Sequence, residues 1–332
     1  MTPRKRMLEA LQRRPTDLPA VGNATSVATI DMMEASDCFF PEAHTDAETM
    51  AGLAATGHEI LGYDTIAPIF SVQHEADALG CEVDWGRVDM MPDVTVHPCA
   101  SPEDVHLPAN LLRHPAIVVV RDALRLLRER HPDVCLIGKV FGPWTLAYHL
   151  FGVEKFLMMT LDDPNAVHRI LRALLPLPEL FAREQFEAGA DAVTLADHAT
   201  GDLVSPAMYR DFLWPLHMEL AGAIRGPVIL HICGNTLDRI PWISRSGMAC
   251  FHFESRVSPA KARWAAGERI ALMGNINNPV TLIGGSPDDV AREVEECLLA
   301  GIEIIAPECA VPLTTPTLNL QALPQAARGS LI

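Results

Sequence analysis

The stretch Ala188-Gly189-Ala190-Asp191-Ala192-Val193 marks a change from helix to strand. A helical pattern that opens at Asp163-Pro164-Asn165-Ala166 runs to Ala188, and Gly189 favours its end at that point. A short apolar run follows at once, and the same order of residues returns at Ala300-Gly301-Ile302-Glu303-Ile304-Ile305. Because strands that alternate with helices form βαβ units, both junctions predict a parallel sheet.

The alternation extends along most of the chain and predicts eight strands. Ser205-Pro206 and Ser286-Pro287 begin two of the intervening helices, since serine is a favoured N-cap and proline fits the first helical position. Eight βα units are what a closed barrel requires, so we expect an α/β fold, one (βα)8 TIM barrel domain over residues 1–332 with an N-terminal extension. The less regular segment 70–115 predicts an insertion or a small hairpin over the barrel mouth. The predicted strands cover residues 18–25, 64–68, 134–141, 191–197, 227–233, 250–254, 269–275 and 302–307.

Composition excludes several classes of protein. The chain has 332 residues and a net charge of −16, which argues against a nucleic-acid partner because phosphate binding needs a basic face. Small anionic substrates stay possible, since one local arginine or helix N-terminus can bind them. The apolar runs are far shorter than the roughly 20 residues of a membrane span, and the N-terminus has the pattern of an amphipathic helix and not of a signal peptide. We therefore expect a cytoplasmic protein that does not bind a membrane.

Polar side chains follow the predicted strands where each one ends. His231 and Cys233 stand two apart on the fifth strand, so both side chains point to one face. Cys309 follows the eighth strand, and in barrels of this type the carboxyl ends of all strands open onto one mouth. One imidazole and two thiolates suit Zn²⁺ and leave a fourth position open, as catalytic zinc sites do. A buried His-x-Cys pair that only packs in the core is the alternative.

Three further residues are candidates for the same site. Glu254, at the end of the sixth strand, could fill the fourth zinc position at rest and leave when substrate arrives, or it could be a structural carboxylate paired with Arg256. Asp197 and Asn275 end the fourth and seventh strands and are candidate cofactor-binding residues. Both could instead cap helix N-termini or tie loops together. The candidate catalytic residues are His231, Cys233, Cys309 and Glu254.

A set of short motifs gives the chain a family resemblance. It resembles the uroporphyrinogen decarboxylase superfamily, and more closely its methylcobamide:coenzyme M methyltransferase branch. The resemblance covers essentially the whole chain, and the His-x-Cys…Cys set is its specific part. The motifs are Pro41-Glu-Ala-His-Thr45, Gly138-Lys-Val-Phe-Gly-Pro-Trp-Thr-Leu-Ala147, Glu187-Ala-Gly-Ala-Asp-Ala-Val193, Ser205-Pro206, His231-Ile-Cys-Gly234, Met273-Gly-Asn-Ile276 and Ala306-Pro-Glu-Cys309.

The resemblance implies a function. His231, Cys233 and Cys309 match the zinc ligands of that branch, and Glu254 matches a carboxylate near the metal that can act as fourth ligand. The implied reaction moves a methyl group from a methylated corrinoid (methylcobalamin or its relatives) to a thiol, most naturally coenzyme M. The chain contains no Asp-x-His-x-x-Gly segment, so we expect a separate corrinoid protein to deliver the donor.

Two alternatives from other classes remain open at this stage. The first is a decarboxylase of a tetrapyrrole, with Asp197 as the proton-handling group. Uroporphyrinogen decarboxylases proper need no metal and carry an arginine-rich N-terminal segment, whereas the matching stretch here, residues 21–29, has no arginine. The second is a non-catalytic corrinoid or thiol binder in which zinc is structural.

Overall fold

Eight parallel strands form the central sheet of the protein. The computed structural model describes residues 1–329, so the last three residues of the predicted domain lie outside the described part of the chain. The strands pair in the order β1-β10-β9-β8-β7-β6-β5-β2, and helices connect them, so the predicted (βα)8 barrel is confirmed. They are β1 (Ala20–Val21), β2 (Thr65–Ile66), β5 (Cys135–Phe141), β6 (Ala192–Ala196), β7 (Val228–His231), β8 (Cys250–His252), β9 (Ala271–Ile276) and β10 (Ile304–Pro307).

The barrel closes between β1 and β2 through Asp64. The backbone N–H of Asp64 donates to the carbonyl of Val21 (2.7 Å), and the N–H of Val21 donates to the Asp64 carboxylate (3.0 Å). Beyond Val21 the backbone N–H of Asn23 donates to the hydroxyl of Thr65 and not to a neighbouring backbone carbonyl. Both strands are therefore much shorter than the predicted 18–25 and 64–68, because side chains replace part of the ladder.

Segment 70–115 contains the predicted insertion. Strands β3 (Glu82–Asp84) and β4 (Asp93–Val96) pair in an antiparallel hairpin, separate from the barrel sheet. Trp85, which directly follows β3, packs against the rings of His44 and His74 with centroid distances of 5.8 and 5.1 Å. Two short 3₁₀ turns, Pro102–Asp104 and Leu111–Arg113, lead back to the barrel.

Helices surround the barrel and close its lower end. The first helix covers the amino ends of the strands: its Met7 and Leu11 are buried against Cys135 and Ile304 of the barrel interior. No helix of the described residues is long and apolar enough to cross a membrane. The helices are α1 (Pro3–Leu11), α2 (Ile30–Ser36), α3 (Glu42–Thr45), α4 (Ala47–Glu59), α5 (His74–Ala78), α6 (Pro115–Arg130), α7 (Pro143–Phe151), α8 (Val153–Asp162), α9 (Pro164–Leu174), α10 (Pro176–Glu187), α11 (Pro206–Met208), α12 (Trp214–Ala223), α13 (Ile240–Ile243), α14 (Pro259–Ala266), α15 (Pro287–Leu299) and α16 (Thr317–Ala327).

Serine caps begin two helices where the sequence predicts them. The Ser286 hydroxyl accepts from the N–H of Asp289, and the Ser205 hydroxyl accepts from the N–H of Met208. The continuous helix predicted over 163–188 is wrong, however, because the chain divides at Leu175 into α9 and α10. Pro176 has no N–H to donate back into the preceding turn, which explains the break.

The barrel interior is apolar towards the amino ends of the strands and polar towards their carboxyl ends. Along β5, Cys135 and Ile137 belong to the buried interior cluster, together with Ile229 of β7 and Cys250 of β8. Side chains on a strand alternate between its two faces, so the next inward positions are Lys139, His231 and His252. This apolar layer, the apolar floor of the barrel, lies beneath a ring of polar groups at the carboxyl ends of the strands, where active sites of such barrels lie.

Candidate metal centre

His231, Cys233 and Cys309 meet at the mouth of the barrel. His231 is the last residue of β7, Cys233 follows it by two, and Cys309 follows the end of β10 by two. The Nε2 atom of His231 lies 3.1 Å from the Cys233 Sγ and 3.4 Å from the Cys309 Sγ, and the two sulfurs are 3.3 Å apart. The structure therefore brings together the three residues that the sequence predicts as metal ligands.

The donor set and its spacing fit a zinc ion. With Zn–N near 2.0–2.1 Å and Zn–S near 2.3 Å, two ligands of a tetrahedral site lie about 3.5–3.8 Å apart. The observed separations are a few tenths of an ångström shorter, so a small outward movement of the side chains would accommodate the ion. One imidazole and two sulfurs match the borderline-soft character of Zn²⁺ and leave one tetrahedral position for another ligand.

A second histidine fixes the orientation of His231. The Nδ1 atom of His231 lies 3.3 Å from the carbonyl oxygen of His252, and an Nδ1–H donating there leaves the Nε2 lone pair facing the two sulfurs. The Nε2–H of His252 donates to the carbonyl of Pro307 (2.8 Å), two residues before Cys309. Burial lowers the pKa of His252 to about 3, so this ring stays neutral and keeps its donor. Such outer contacts set the tautomer and direction of a metal ligand.

The thiols of Cys233 and Cys309 shift each other's pKa in opposite directions. The hydrogen bond with Cys233 holds the pKa of the Cys309 thiol well below its ordinary value, and the nearby His231 adds to the effect. The same hydrogen bond raises the pKa of Cys233. The first proton therefore leaves the pair readily and the second does not, unless a cation takes its place.

The chain turns sharply directly after the first cysteine. Gly234 has φ of +79°, in the region that only glycine adopts without strain. A Cβ on this residue would also collide with the hydroxyl of Thr200. Glycine therefore lets the loop leave β7 while Cys233 still faces His231.

Glu254 does not join the three residues in the described structure. The group whose ligand atoms all lie within 4.8 Å of one another contains His231, Cys233 and Cys309 and no carboxylate. Glu254 is half-buried close by, and its pKa is raised first by burial and then by the charge of Glu308. Its predicted place as fourth ligand stays a prediction.

Glu308 is a buried acid beside the site that the sequence reasoning passed over. It is 4% exposed, and its carboxylate accepts from the backbone N–H of Ser255 (2.9 Å) and of Asn278 (2.8 Å). It thereby ties the loops that follow β8 and β9 to the residue preceding Cys309. The only sequence signal was its place in the Pro-Glu-Cys motif.

Asp197 and Asn275 hold local structure together. The Asp197 carboxylate accepts from the N–H of Thr145 (2.9 Å), in the first turn of α7, and lies 3.0 Å from Nε2 of the buried His217. The side-chain amide of Asn275 donates to the carbonyls of Glu254 (3.2 Å) and Val257 (2.8 Å). These contacts match the capping and loop-tying alternative, and the cofactor-binding role of both residues stays a prediction.

The chain is similar over nearly all of its length to one known protein family and to several named methyltransferases. The sequence model of the family described as uroporphyrinogen decarboxylase (URO-D) matches residues 2–330. A methylated-thiol–coenzyme M methyltransferase from Methanosarcina mazei is 34% identical, over 100% of this chain and 90% of that protein. A methylcobamide:CoM methyltransferase, MtaA, from Methanosarcina barkeri is 31% identical, over 97% of this chain and 96% of that protein. A solved structure of a methyltransferase from Methanosarcina mazei superposes with a TM-score of 0.97 at 32% identity and covers all of both chains.

Proposed function

The chain belongs to the uroporphyrinogen decarboxylase (URO-D) family, and we propose that it is a zinc-dependent methyltransferase that moves a methyl group from a methylated corrinoid to a small thiol. The observation that carries this proposal is the cluster of His231, Cys233 and Cys309, whose ligand atoms lie within 4.8 Å of one another at the barrel mouth. Full-length relatives named as methylcobamide:CoM methyltransferases support it, and they favour coenzyme M as the thiol.

His231, Cys233 and Cys309 would hold the metal, and a bound zinc ion would supply the Lewis acidity that turns a coordinated substrate thiol into a thiolate at neutral pH. The contact between His231 and the carbonyl of His252 keeps Nε2 pointed at the two sulfurs. The two cysteines add negative charge beside the substrate sulfur and keep it electron-rich, whereas a set of neutral imidazoles favours activation of water. Three protein ligands would leave one position, which Glu254 would occupy at rest and which the substrate sulfur would take in its place.

The transfer itself is a displacement at carbon. The thiolate, which is the nucleophilic form of a thiol, attacks the methyl carbon from the side opposite cobalt. A sulfur–carbon bond forms while the cobalt–carbon bond breaks. The electron pair of the broken bond stays on cobalt, so Co(III) becomes Co(I). The products are a methyl thioether and the reduced corrinoid, and the thiol proton passes to solvent. We place the corrinoid on a partner protein that docks at the barrel mouth.

The test combines metal analysis with a demethylation assay. The purified protein is expected to contain about one zinc per chain. With methylcobalamin as donor, the zinc-loaded protein should cause the absorbance change of demethylation in the presence of coenzyme M, and its rate should exceed that with homocysteine. A zinc-loaded protein that demethylates methylcobalamin with no thiol would contradict the proposal. Decarboxylation of a porphyrinogen by the metal-free protein would favour the lyase alternative.

A further inference from the structure

Lys139 is a buried cation inside the barrel that the proposed chemistry does not use. It lies on β5, one inward position above Ile137, and is 4% exposed. Within residues 1–329 its ammonium group makes no hydrogen bond or salt bridge, although its own backbone bonds to Gln185. The ring of Phe141 lies close by, with its centroid 5.7 Å from Nζ. A buried ammonium group whose three N–H donors find no acceptor is unusual in a protein interior.

One acid, Glu75, acts on the charge of Lys139 but makes no salt bridge with it among the described residues. Burial raises the pKa of Glu75 to about 8, so this carboxyl is mostly uncharged at neutral pH. Its Oε1 accepts from the N–H of Phe141 (2.9 Å), while the buried Oε2 has no partner among the described residues. Burial also lowers the pKa of His44 to about 3 and that of His74 to about 4, so both rings are neutral. The barrel interior thus carries a cation that has no hydrogen-bond or salt-bridge partner within the described residues.

The position of Lys139 relates it to the metal centre. Strand β6 lies between β5 and β7: Lys139 pairs in register with Thr194, and Ala196, two residues further along β6, pairs with His231. Lys139 and His231 therefore enter the same interior at neighbouring levels. Burial lowers the pKa of Lys139 to about 8, and the charge of Glu75 opposes this effect, so the ammonium group is mostly protonated at neutral pH.

A buried charge without a partner destabilises a protein, so such a residue needs another reason to be there. An anion that enters the mouth would provide the missing acceptors. A substrate whose sulfur occupies the open metal position and whose other end is anionic would meet both requirements at once. Resting on the proposed function, we propose that Lys139 binds the anionic end of the thiol substrate and so selects short thiols with a sulfonate or carboxylate over neutral ones.

The experiment compares two thiols of similar length in two variants. Lys139→Met removes the charge and keeps most of the side-chain volume, and Lys261→Met removes the same charge from an exposed position on α14. The thiols are 2-mercaptoethanesulfonate, which is anionic, and 2-mercaptoethanol, which is neutral. Binding to the zinc-loaded proteins is measured by titration calorimetry, and KM and kcat are measured with methylcobalamin.

Lys139→Met should weaken binding of the anionic thiol and raise its KM about 10- to 100-fold, the range of a lost charged hydrogen bond. For 2-mercaptoethanol the change should stay within about 2-fold, and kcat and zinc content should remain near wild type. The thermal midpoint of Lys139→Met should equal or exceed that of the wild type, since an unpaired buried charge has been removed. Lys261→Met should leave the preference between the two thiols unchanged.

Two results would overturn the inference. One is an equal loss with both thiols while zinc content is retained, because that pattern reports a general distortion of the site. The other is an unchanged preference in Lys139→Met. The proposed function fails in a different way: if the wild type prefers the anionic thiol in calorimetry and Lys139→Met loses that preference, yet neither protein demethylates methylcobalamin, then the anion site stands and the transfer reaction does not.

Discussion

His252 offers the sharpest test of how the fold supports the metal centre. Its Nε2–H donates to the Pro307 carbonyl at 2.8 Å, and its ring lies 4.6 Å from that of His231. His252→Phe keeps an aromatic ring of similar size and removes this donor, so a buried carbonyl at the end of β10 loses its partner. An unpaired buried acceptor costs about 1–3 kcal/mol, and we expect the free energy of unfolding of the zinc-free protein to fall by that amount. Because Pro307 leads into Cys309, zinc affinity should fall about 10- to 100-fold.

The matched control is His44→Phe. His44 is equally buried, but neither of its ring nitrogens has a hydrogen-bond partner among the described residues. The same substitution there removes no hydrogen bond, so stability and zinc affinity should change little. Urea unfolding of the zinc-free proteins and competition with a chromophoric chelator supply the two measurements. If His252→Phe matches His44→Phe in both, the contact from His252 to Pro307 does not support the site.

Three further predictions concern the metal and its ligands. Cys309→Ser should lower zinc content and abolish methyl transfer while the barrel stays folded by circular dichroism, since Cys309 lies on the rim and not in the apolar floor; a fully active variant would refute its role as ligand. Thiol binding near pH 7 should release close to one proton, because a free thiol has a pKa of about 8.5 and the bound form is a thiolate, and the release should shrink as pH rises above that value. Calorimetry in buffers of different ionisation enthalpy counts this proton, and no buffer dependence would place the thiol away from the metal. Glu254→Gln should leave zinc bound through three ligands but change thiol affinity and turnover; no change in any of the three would make Glu254 a structural carboxylate.

The sequence predicts the barrel well because each βα unit carries local signals. Apolar runs mark each strand, serine caps and glycine stops mark several of the helices between them, and all eight strands lie where these signals place them. The exceptions have local physical causes. The first two strands are short because Asp64 and Thr65 replace backbone ladder bonds with side-chain bonds, and the helix before β6 breaks because Pro176 lacks a donor.

The site is predictable only where its residues follow strand geometry. His231 and Cys233 share a face because they stand two apart, and Cys309 joins them because all strand ends share one mouth. His252 has the same inward periodicity, but its role depends on which carbonyl lies beside it, and no sequence pattern specifies that. The same holds for Lys139. Its place on a strand follows from the sequence, but its burial without a hydrogen-bond or salt-bridge partner among the described residues depends on how β5, α5 and the neighbouring loops pack together.

The central claim is that His231, Cys233 and Cys309 hold a zinc ion to which the substrate sulfur binds. X-ray absorption at the zinc edge measures this directly, on the purified protein with and without 2-mercaptoethanesulfonate. We expect two sulfur neighbours near 2.3 Å with nitrogen or oxygen ligands in the free protein, and three sulfur neighbours once the thiol is added. A zinc environment without sulfur, or one that the thiol leaves unchanged at saturation, would contradict the account.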